Sequence, residues 1–185
     1  MNPTQRTELR RSGEHGSHDW NVINQILDAG FLAHVGFCVA RQPFVIPTLY
    51  GRDGETLYLH GSVANRIRTE PEAVPACVTV TLVDGLVSSR SAFDHSMNYR
   101  SVVAFGSART IHGLARKAKC LRIISEHLIA GRWENVRGPS KKELNARTVF
   151  KFTIEEASSN RAGLLIRWRQ ELEARLNCKT YKDCR

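Results

Sequence analysis

Residues Ser88–Gly106 read SSRSAFDHSMNYRSVVAFG and combine two patterns in one short stretch. The second half, from Val102 to Phe105, is apolar and β-branched or aromatic, which is typical of a strand. The first half is rich in arginine and serine. Arginine offers a charged, planar guanidinium and serine offers a neutral hydrogen-bond donor, and the two together suit a phosphate group. The same composition is also typical of a solvated loop leading into an edge strand. Hydrogen-bond donors are crowded into the short loop and strand start, and they include Arg90, Ser91, His95, Ser96, Asn98, Tyr99, Arg100 and Ser101.

The length and composition are those of one ordinary globular domain. The chain has 185 residues, of which 42% are hydrophobic and 24% charged. No apolar run approaches the roughly 18 residues that a membrane-spanning helix needs. The segment Met1–His18 is polar and lacks the apolar centre of a signal peptide. We therefore expect a cytoplasmic protein with no membrane segment.

The chain is basic, with a formal net charge of +9. Such an excess is compatible with a nucleic acid or with a small anionic ligand. The positive residues are scattered, and no RNA-reading motif or zinc-finger spacing occurs. These features disfavour a nucleic-acid partner and favour a small ligand.

The five cysteines are widely spaced and include no C-x-x-C pair. Neither a disulfide framework nor a metal site is predicted from this spacing. Cys38 and Cys77 lie in apolar, strand-like runs, so we expect both to be core thiols.

Hydrophobic periodicity predicts mostly strands, joined by short turns. A helix is predicted over Asp19–Ala29, with Gly30 ending it. Asp53-Gly54 is a strong hairpin signal between two apolar strands. A further turn is predicted at Asp84-Gly85. The predicted strands are 31–40, 44–50, 56–60, 76–83, one starting at 86, 99–110 and 148–154. The other predicted helices are 63–69, capped by Ser62, 114–130 and 164–176. A hairpin turn is predicted at 41–43, and loops are predicted at 132–142 and 155–163.

These elements predict a mainly β protein, a closed or nearly closed antiparallel barrel of six to seven strands with flanking helices. A small barrel is filled by its own side chains, so a ligand must lie outside it, often between the two barrels of a dimer. Three regions are expected: a mobile N-terminal arm (1–18), the barrel domain (19–163) and a basic C-terminal tail (164–185).

The stretch from Arg90 to Gly106 resembles the signature of the pyridoxamine 5′-phosphate oxidase-like, FMN-binding split-barrel proteins. The branch it is most similar to is the flavin-nucleotide-binding group related to nitroimidazole-resistance proteins. Supporting pieces are IPTLY at 46–50, LYLHGS at 57–62, GRWE at 131–134 and Glu143-Leu144. Together they span roughly residues 19–163 in the order expected of the family.

The resemblance implies a homodimer of FMN-binding split barrels with two FMN sites at the interface. It implies that the flavin ring lies along the second and third strands and that basic and hydroxyl groups hold the phosphate. The residues implied to border the ring are Pro47, Thr48 and Tyr50; those following the ring and ribityl chain are His60, Gly61 and Ser62; those for the phosphate are Asn65, Arg66 and Arg68; and those completing the site are Arg90, Ser91, Asn98, Tyr99, Arg100 and Ser101.

Two functions are compatible with this resemblance. The first is an FMN-dependent oxidoreductase acting on a small organic substrate, with His60 as the polar group beside the ring and the flavin supplying the redox chemistry. The alternative is a flavin- or haem-binding module of the same fold without turnover, since fold does not decide function. His60 has an alternative of its own, a histidine that caps a strand end by bonding a backbone carbonyl.

One segment departs from the family pattern. Where the family usually carries Lys-x-Arg-x-Gly, this chain reads SSNRAG at 158–163, so the expected lysine is replaced. If that lysine holds the cofactor phosphate in relatives, the affinity for the cofactor is expected to be weaker here.

Overall fold

The computed structural model describes residues 4–8, 15–61 and 73–162, and an antiparallel sheet that closes on itself lies at its centre. The predicted helices at 63–69 and 164–176 fall outside these residues. In chain order the elements are β1 (Gly16–Ser17), α1 (Trp20–Ala29), β2 (Leu32–Val39), β3 (Gln42–Asp53), β4 (Thr56–His60), β5 (Val74–Val87), a 3₁₀ turn (Ala92–Asp94), β6 (Ser96–Thr110), α2 (Leu114–Leu128), a second 3₁₀ turn (Trp133–Asn135), α3 (Lys141–Ala146) and β7 (Val149–Ala162).

Six long strands form the barrel in the order β7-β4-β3-β2-β5-β6. The ring closes because β6 also pairs with β7, from Tyr99 opposite Ala162 to Thr110 opposite Phe150. β1 adds two residues to the sheet beside β7. The predicted class, an antiparallel barrel with flanking helices, is confirmed.

Alternation along the strands fills the interior with apolar side chains. In β2, Ala33, Val35 and Phe37 are buried, and the residues between them are exposed or half-buried. α1 adds Ile23, Ile26 and Leu27 to the same core. Its N-terminus is capped by Asp19, whose carboxylate accepts the Asn21 N–H at 2.9 Å. A barrel filled in this way leaves the outer surface for a ligand.

The two N-terminal hairpins differ in turn chemistry. The hairpin at Asp53-Gly54 is confirmed, and Gly54 has the left-handed φ of 59° that glycine adopts without strain. The turn between β2 and β3 lies at Ala40 and Arg41, with φ values of 49° and 64°, and not at 41–43. Pro43 belongs to β3, opposite Cys38. Positive φ at both central residues matches the right-handed twist of the strands, and no glycine signals it in the sequence.

Two predicted strand breaks are wrong. Asp84-Gly85 is not a turn but a bulge within the single strand β5, and the pairing shifts between Val83 and Gly85. The predicted loop 155–163 is strand up to Ala162, because β6 offers a pairing partner along this whole length. Both corrections lengthen the sheet beyond the barrel core.

A third helix, α3, begins in the last two residues of the predicted loop 132–142 and continues to Ala146. α3 begins after Ser140, whose side chain accepts the Glu143 N–H at 3.3 Å, while the Glu143 carboxylate accepts the Ser140 N–H at 2.7 Å. This capping box stabilises the first turn. α2 ends at Leu128, close to the predicted end of the helix.

The prediction of core thiols is wrong for Cys38, which is exposed, and Cys77 is only half-buried. Both lie on the outward-facing positions of β2 and β5, since Gly36, two residues before Cys38, is opposite Cys77. An apolar run fixes the strand but not which of its two faces meets the core.

Parts of the predicted N-terminal arm pack against the barrel. Thr7 is buried, and its carbonyl is 2.9 Å from the His18 ring nitrogen. Thr4 and Arg6 both bond to Glu156 on β7. Arg6 also lies over the ring of Phe105, 5.3 Å from its centroid. Among the residues described, no helix is both long and apolar enough to cross a membrane.

Candidate functional site

The end of β4 lies beside the middle of β3, and four of the predicted site residues lie there: Pro47 and Thr48 on β3, and His60 and Gly61 at and just after the end of β4. The Thr48 hydroxyl donates to the His60 carbonyl, which ties the end of β4 to the middle of β3. A Cβ placed on Gly61 would lie 3.7 Å from the Thr48 hydroxyl oxygen. Thr48 is nearly buried, whereas Pro47 lies on the exposed outer face. This group is called the β3–β4 cluster below.

His60 is the most chemically distinctive member of the β3–β4 cluster. Its ring is half-buried, and Nδ1 is a buried atom with no hydrogen-bond partner among the residues described. Burial lowers the pKa of His60, and the positive charge of Arg147 lowers it further. A neutral imidazole with an unused buried nitrogen can accept or donate a proton or bind a metal or cofactor group.

The lowered pKa of His60 predicts a loss of stability in mild acid. The unfolded chain takes up this proton near pH 6.5, the ordinary histidine pKa, and the folded chain only at lower pH. The contribution is therefore complete above pH 6.5 and lost as the pH falls through the folded pKa. We expect His60→Gln to make urea unfolding less sensitive to pH across this window. An identical slope of unfolding free energy against pH in both proteins would contradict it.

Tyr50 lies in the core and not at the surface of the site. Its side chain is fully buried, and its hydroxyl donates to the Leu27 carbonyl at 2.6 Å. Its ring is 4.9 Å from the His127 ring, centroid to centroid. Burial, followed by the charge of Asp28, raises the Tyr50 pKa, so the hydroxyl remains a proton donor. The structure thus places Tyr50 on the buried face of β3, which Thr48 shares, and Pro47 on the opposite, outward face.

The first residues of β6 carry a second group of predicted donors: Asn98, Tyr99, Arg100 and Ser101. Arg100 donates through Nε and an Nη to the two oxygens of Asp84, at 2.8 and 2.7 Å. This hydrogen bond is the main cause of the lowered Asp84 pKa. Ser101 is nearly buried, opposite Thr81 and Asn160.

Arg90 and Ser91 belong to the exposed loop between β5 and β6. The Ser91 hydroxyl accepts the Phe93 N–H at 3.3 Å and caps the 3₁₀ turn. The Ser89 N–H donates to Nδ1 of His95 at 3.0 Å. These contacts shape the loop and leave the Arg90 side chain exposed.

The β3–β4 cluster and the β6 donors are separated on one barrel. Thr48 is opposite Ala33, Ala33 is opposite Val80, and Val80 is opposite Val102. Three strand spacings correspond to roughly 14 Å. The barrel therefore presents two donor groups on the same sheet rather than a single contact cluster. Ser62, Asn65, Arg66 and Arg68 lie outside the described residues.

Three charged or titratable side chains near these groups were not predicted. His34 is exposed between Pro47 on β3 and Thr79 on β5. Arg147 acts on the His60 pKa. Arg161 is opposite Arg100 on the neighbouring strand. Alternation along 31–40 could have placed His34 outward, but the other two depend on pairing partners far away in the sequence.

An apolar surface accompanies the donors. Leu32 and Val45 are exposed on β2 and β3, at 43% and 69%. At the β5–β6 end, Val83, Leu86 and Phe93 are exposed at 61%, 86% and 95%. Exposed apolar surface of this kind is typical of a ligand or protein interface.

The molecule also has an open groove away from these residues, with a volume of about 460 Å³. It lies between α2 and the β3–β4 turn, and Arg52, Lys119, Arg122 and Glu126 line it with their neighbours. None of the predicted site residues is part of its lining. Within 4–8, 15–61 and 73–162, no three His, Cys, Asp or Glu side chains are arranged to hold a metal ion.

Comparisons with known proteins agree with this architecture. Residues 19–161 match the family model described as pyridoxamine 5′-phosphate oxidase. The flavocytochrome Anf3 from Azotobacter vinelandii is 36% identical, with a TM-score of 0.74 over 87% of this chain and 75% of that one. An FAD- and haem-binding protein from Mycobacterium smegmatis is 30% identical, with a TM-score of 0.71 over 81% and 74%.

A more distant structure shares the fold. A nitroimidazole-resistance protein homologue from Bacteroides thetaiotaomicron is 22% identical, with a TM-score of 0.61 over 80% of this chain and 90% of that one. A search of curated protein sequences finds no match.

Proposed function

Because the chain belongs to the pyridoxamine 5′-phosphate oxidase-like family of split-barrel proteins, we propose that it binds a flavin nucleotide and acts as a flavin-dependent oxidoreductase on a small organic substrate. The observation that carries the proposal is the family match across residues 19–161. Two relatives at 30% identity or more, a flavocytochrome and a protein that binds FAD and haem, support it. The filled barrel supports a site on its outer surface.

The donor sets fit the two ends of a flavin nucleotide. The outer face at Pro47 offers apolar surface for a flat ring, and His60 offers a neutral polar group beside it. Arg90 and Arg100 offer the charged, planar donors that suit a phosphate. A bound flavin would supply electron or hydride transfer, while the chain's own residues hold and orient it.

A homodimer is part of this proposal. The two donor groups lie on strands that are three spacings, or roughly 14 Å, apart along the sheet, and exposed apolar residues lie on β2 and β3 and at the β5–β6 end. Pairing of two barrels would cover Val45 and Phe93 and bring donors of one protomer toward the β3–β4 cluster of its partner. Burial of this apolar surface would stabilise the pair.

The test is an absorption spectrum of the purified protein, recorded before and after addition of flavin and gel filtration. We expect a flavin spectrum that co-elutes at the volume of a dimer. Chromatography of the released cofactor distinguishes FMN, which the family resemblance implies, from FAD, which the Mycobacterium smegmatis relative binds. A folded protein that retains neither would contradict the proposal. Reoxidation of the reduced flavin by candidate acceptors then separates an oxidoreductase from a carrier.

A haem-binding module is the second candidate, because the two relatives reported above at 36% and 30% identity are by name a flavocytochrome and an FAD- and haem-binding protein. The residues present are compatible with an axial ligand. His34 is exposed on the outer face, and His60 is neutral with an unused nitrogen. A Soret band on haem titration that His34→Gln or His60→Gln removes would support haem; a protein that binds flavin and gives no such band would exclude it.

A further inference from the structure

Two arginines are neighbours across the β6–β7 pair. Arg100 on β6 is opposite Arg161 on β7 in the antiparallel register. Side chains at directly opposed positions start from Cβ atoms about 5 Å apart, and like charges at such positions destabilise a sheet. An anion bound between the two guanidinium groups would offset this repulsion.

Asp84 partly supplies that anion. Its carboxylate occupies the Nε and Nη donors of Arg100, at 2.8 and 2.7 Å. The Arg100 hydrogen bond is the main cause of the lowered Asp84 pKa, and the positive charge of Arg161 lowers this pKa further. One carboxylate beside two guanidinium groups leaves an excess of one positive charge. Among the residues described, no ion pair involves Arg161.

The three side chains are accessible to a ligand. The side chains of Arg100 and Asp84 are 34% and 38% exposed, and Arg161 is exposed. The β5 bulge between Val83 and Gly85 interrupts the regular register where Asp84 reaches Arg100. Bulges change the direction of side chains, and here the bulge contains Asp84, whose carboxylate bonds to Arg100.

We propose that Arg100 and Arg161 together bind the phosphate or pyrophosphate of the flavin nucleotide, and that Asp84 is a built-in competitor which the phosphate displaces from Arg100. This inference rests on the proposed flavin binding. The donors that hold the Asp84 carboxylate are the same fork that binds phosphate oxygens in a bidentate manner. A phosphate dianion matches two guanidinium groups better than one carboxylate does. Arg161 also occupies the segment where the lysine of the family pattern is missing.

The test compares FMN with riboflavin, which carries the same ring without the phosphate. Flavin-free protein is titrated with each, and ring fluorescence reports binding. Arg161→Gln is expected to weaken FMN binding by on the order of tenfold, the lower end for a hydrogen bond to a charged group, and to leave riboflavin unchanged. Asp84→Asn is expected to tighten FMN binding severalfold, again without an effect on riboflavin.

Arg109→Gln is the matched control. Arg109 is an exposed arginine on the same strand, opposite Lys151 on β7, so it has the same kind of basic cross-strand neighbour at the other end of the pair. We expect this variant to bind FMN as the wild type does. If Arg109→Gln and Arg161→Gln weaken FMN binding equally, the effect comes from the overall charge of the protein, and the inference is overturned.

The outcomes separate this inference from the proposed function. Wild type that binds FMN, with Arg161→Gln unchanged or Asp84→Asn weaker, overturns the inference and leaves flavin binding intact. Wild type that binds no flavin contradicts the proposed function, and calorimetry with inorganic pyrophosphate then tests the arginine pair alone. A heat of pyrophosphate binding that is present in the wild type and lost in Arg161→Gln would support an anion site at the two arginines. No heat of binding in the wild type would overturn the inference.

Discussion

Gly106→Ala is expected to disrupt closure of the barrel between β6 and β7. A Cβ at this position would lie 2.0 Å from the Thr153 carbonyl oxygen and 3.2 Å from the Phe152 ring. The obstacle is backbone of a paired strand at a register shift, so a rotamer change cannot relieve it. Overpacking costs typically 1–3 kcal/mol, and we expect about 3 kcal/mol or more here. Thermal unfolding should therefore begin roughly 6–12 °C lower, as measured by circular dichroism.

Gly85→Ala is the matched control for this effect. Gly85 also lies in a strand beside a register irregularity, but a Cβ there would meet no atom within 4 Å. We expect its stability to stay within about 0.5 kcal/mol of the wild type. Comparable losses in the two variants would show that glycine flexibility, and not the contact with Thr153, decides the result.

The sequence correctly predicted those elements whose ends are determined by residues adjacent to them in the chain. Asp19 before an apolar helical stripe, with Gly30 after it, predicted α1 to within one residue. Asp53-Gly54 likewise predicted the β3–β4 hairpin. These features work because the residues that decide the conformation are adjacent in the chain.

The elements that the sequence misassigned depend on distant pairing. Asp84-Gly85 has the composition of a turn, and only its partners Asn98 and Tyr99 turn it into a bulge. Residues 155–162 lack a strong strand pattern, yet β6 pairs with them along their length. Arg161 was therefore predicted to lie in a loop, and its position opposite Arg100 could not be anticipated.

The same limit applies to the site. Thr48 and His60 were predicted in one region, and the structure joins them through a hydrogen bond. The family resemblance placed Pro47, Thr48 and Tyr50 together beside the flavin ring, although Pro47 lies on the opposite face of β3 from Thr48 and Tyr50. Pro47 lies outward, whereas Tyr50 reaches α1. The face that meets the core is fixed by packing, which the local pattern does not contain.

Tyr50→Ala tests whether the Tyr50 side chain stabilises the core of the barrel. The side chain is fully buried between the strands, α1 and His127, so its removal leaves a large cavity. Truncation of a buried aromatic costs about 3–5 kcal/mol, and we expect a loss in this range in urea unfolding. Such a loss would be a large fraction of the stability of an ordinary domain.

Tyr50→Phe separates the core role from the predicted contact with the flavin ring. Leu27 lies in the last turn of α1, where backbone carbonyls lack a helical partner, and the Tyr50 hydroxyl satisfies one of them at 2.6 Å. Removing the hydroxyl leaves this buried carbonyl unpaired, so we expect a loss of about 1–3 kcal/mol. Flavin affinity, measured by fluorescence titration well below the unfolding temperature, should stay unchanged because the hydroxyl faces α1. Weaker flavin binding with unchanged stability would instead place Tyr50 at the ring.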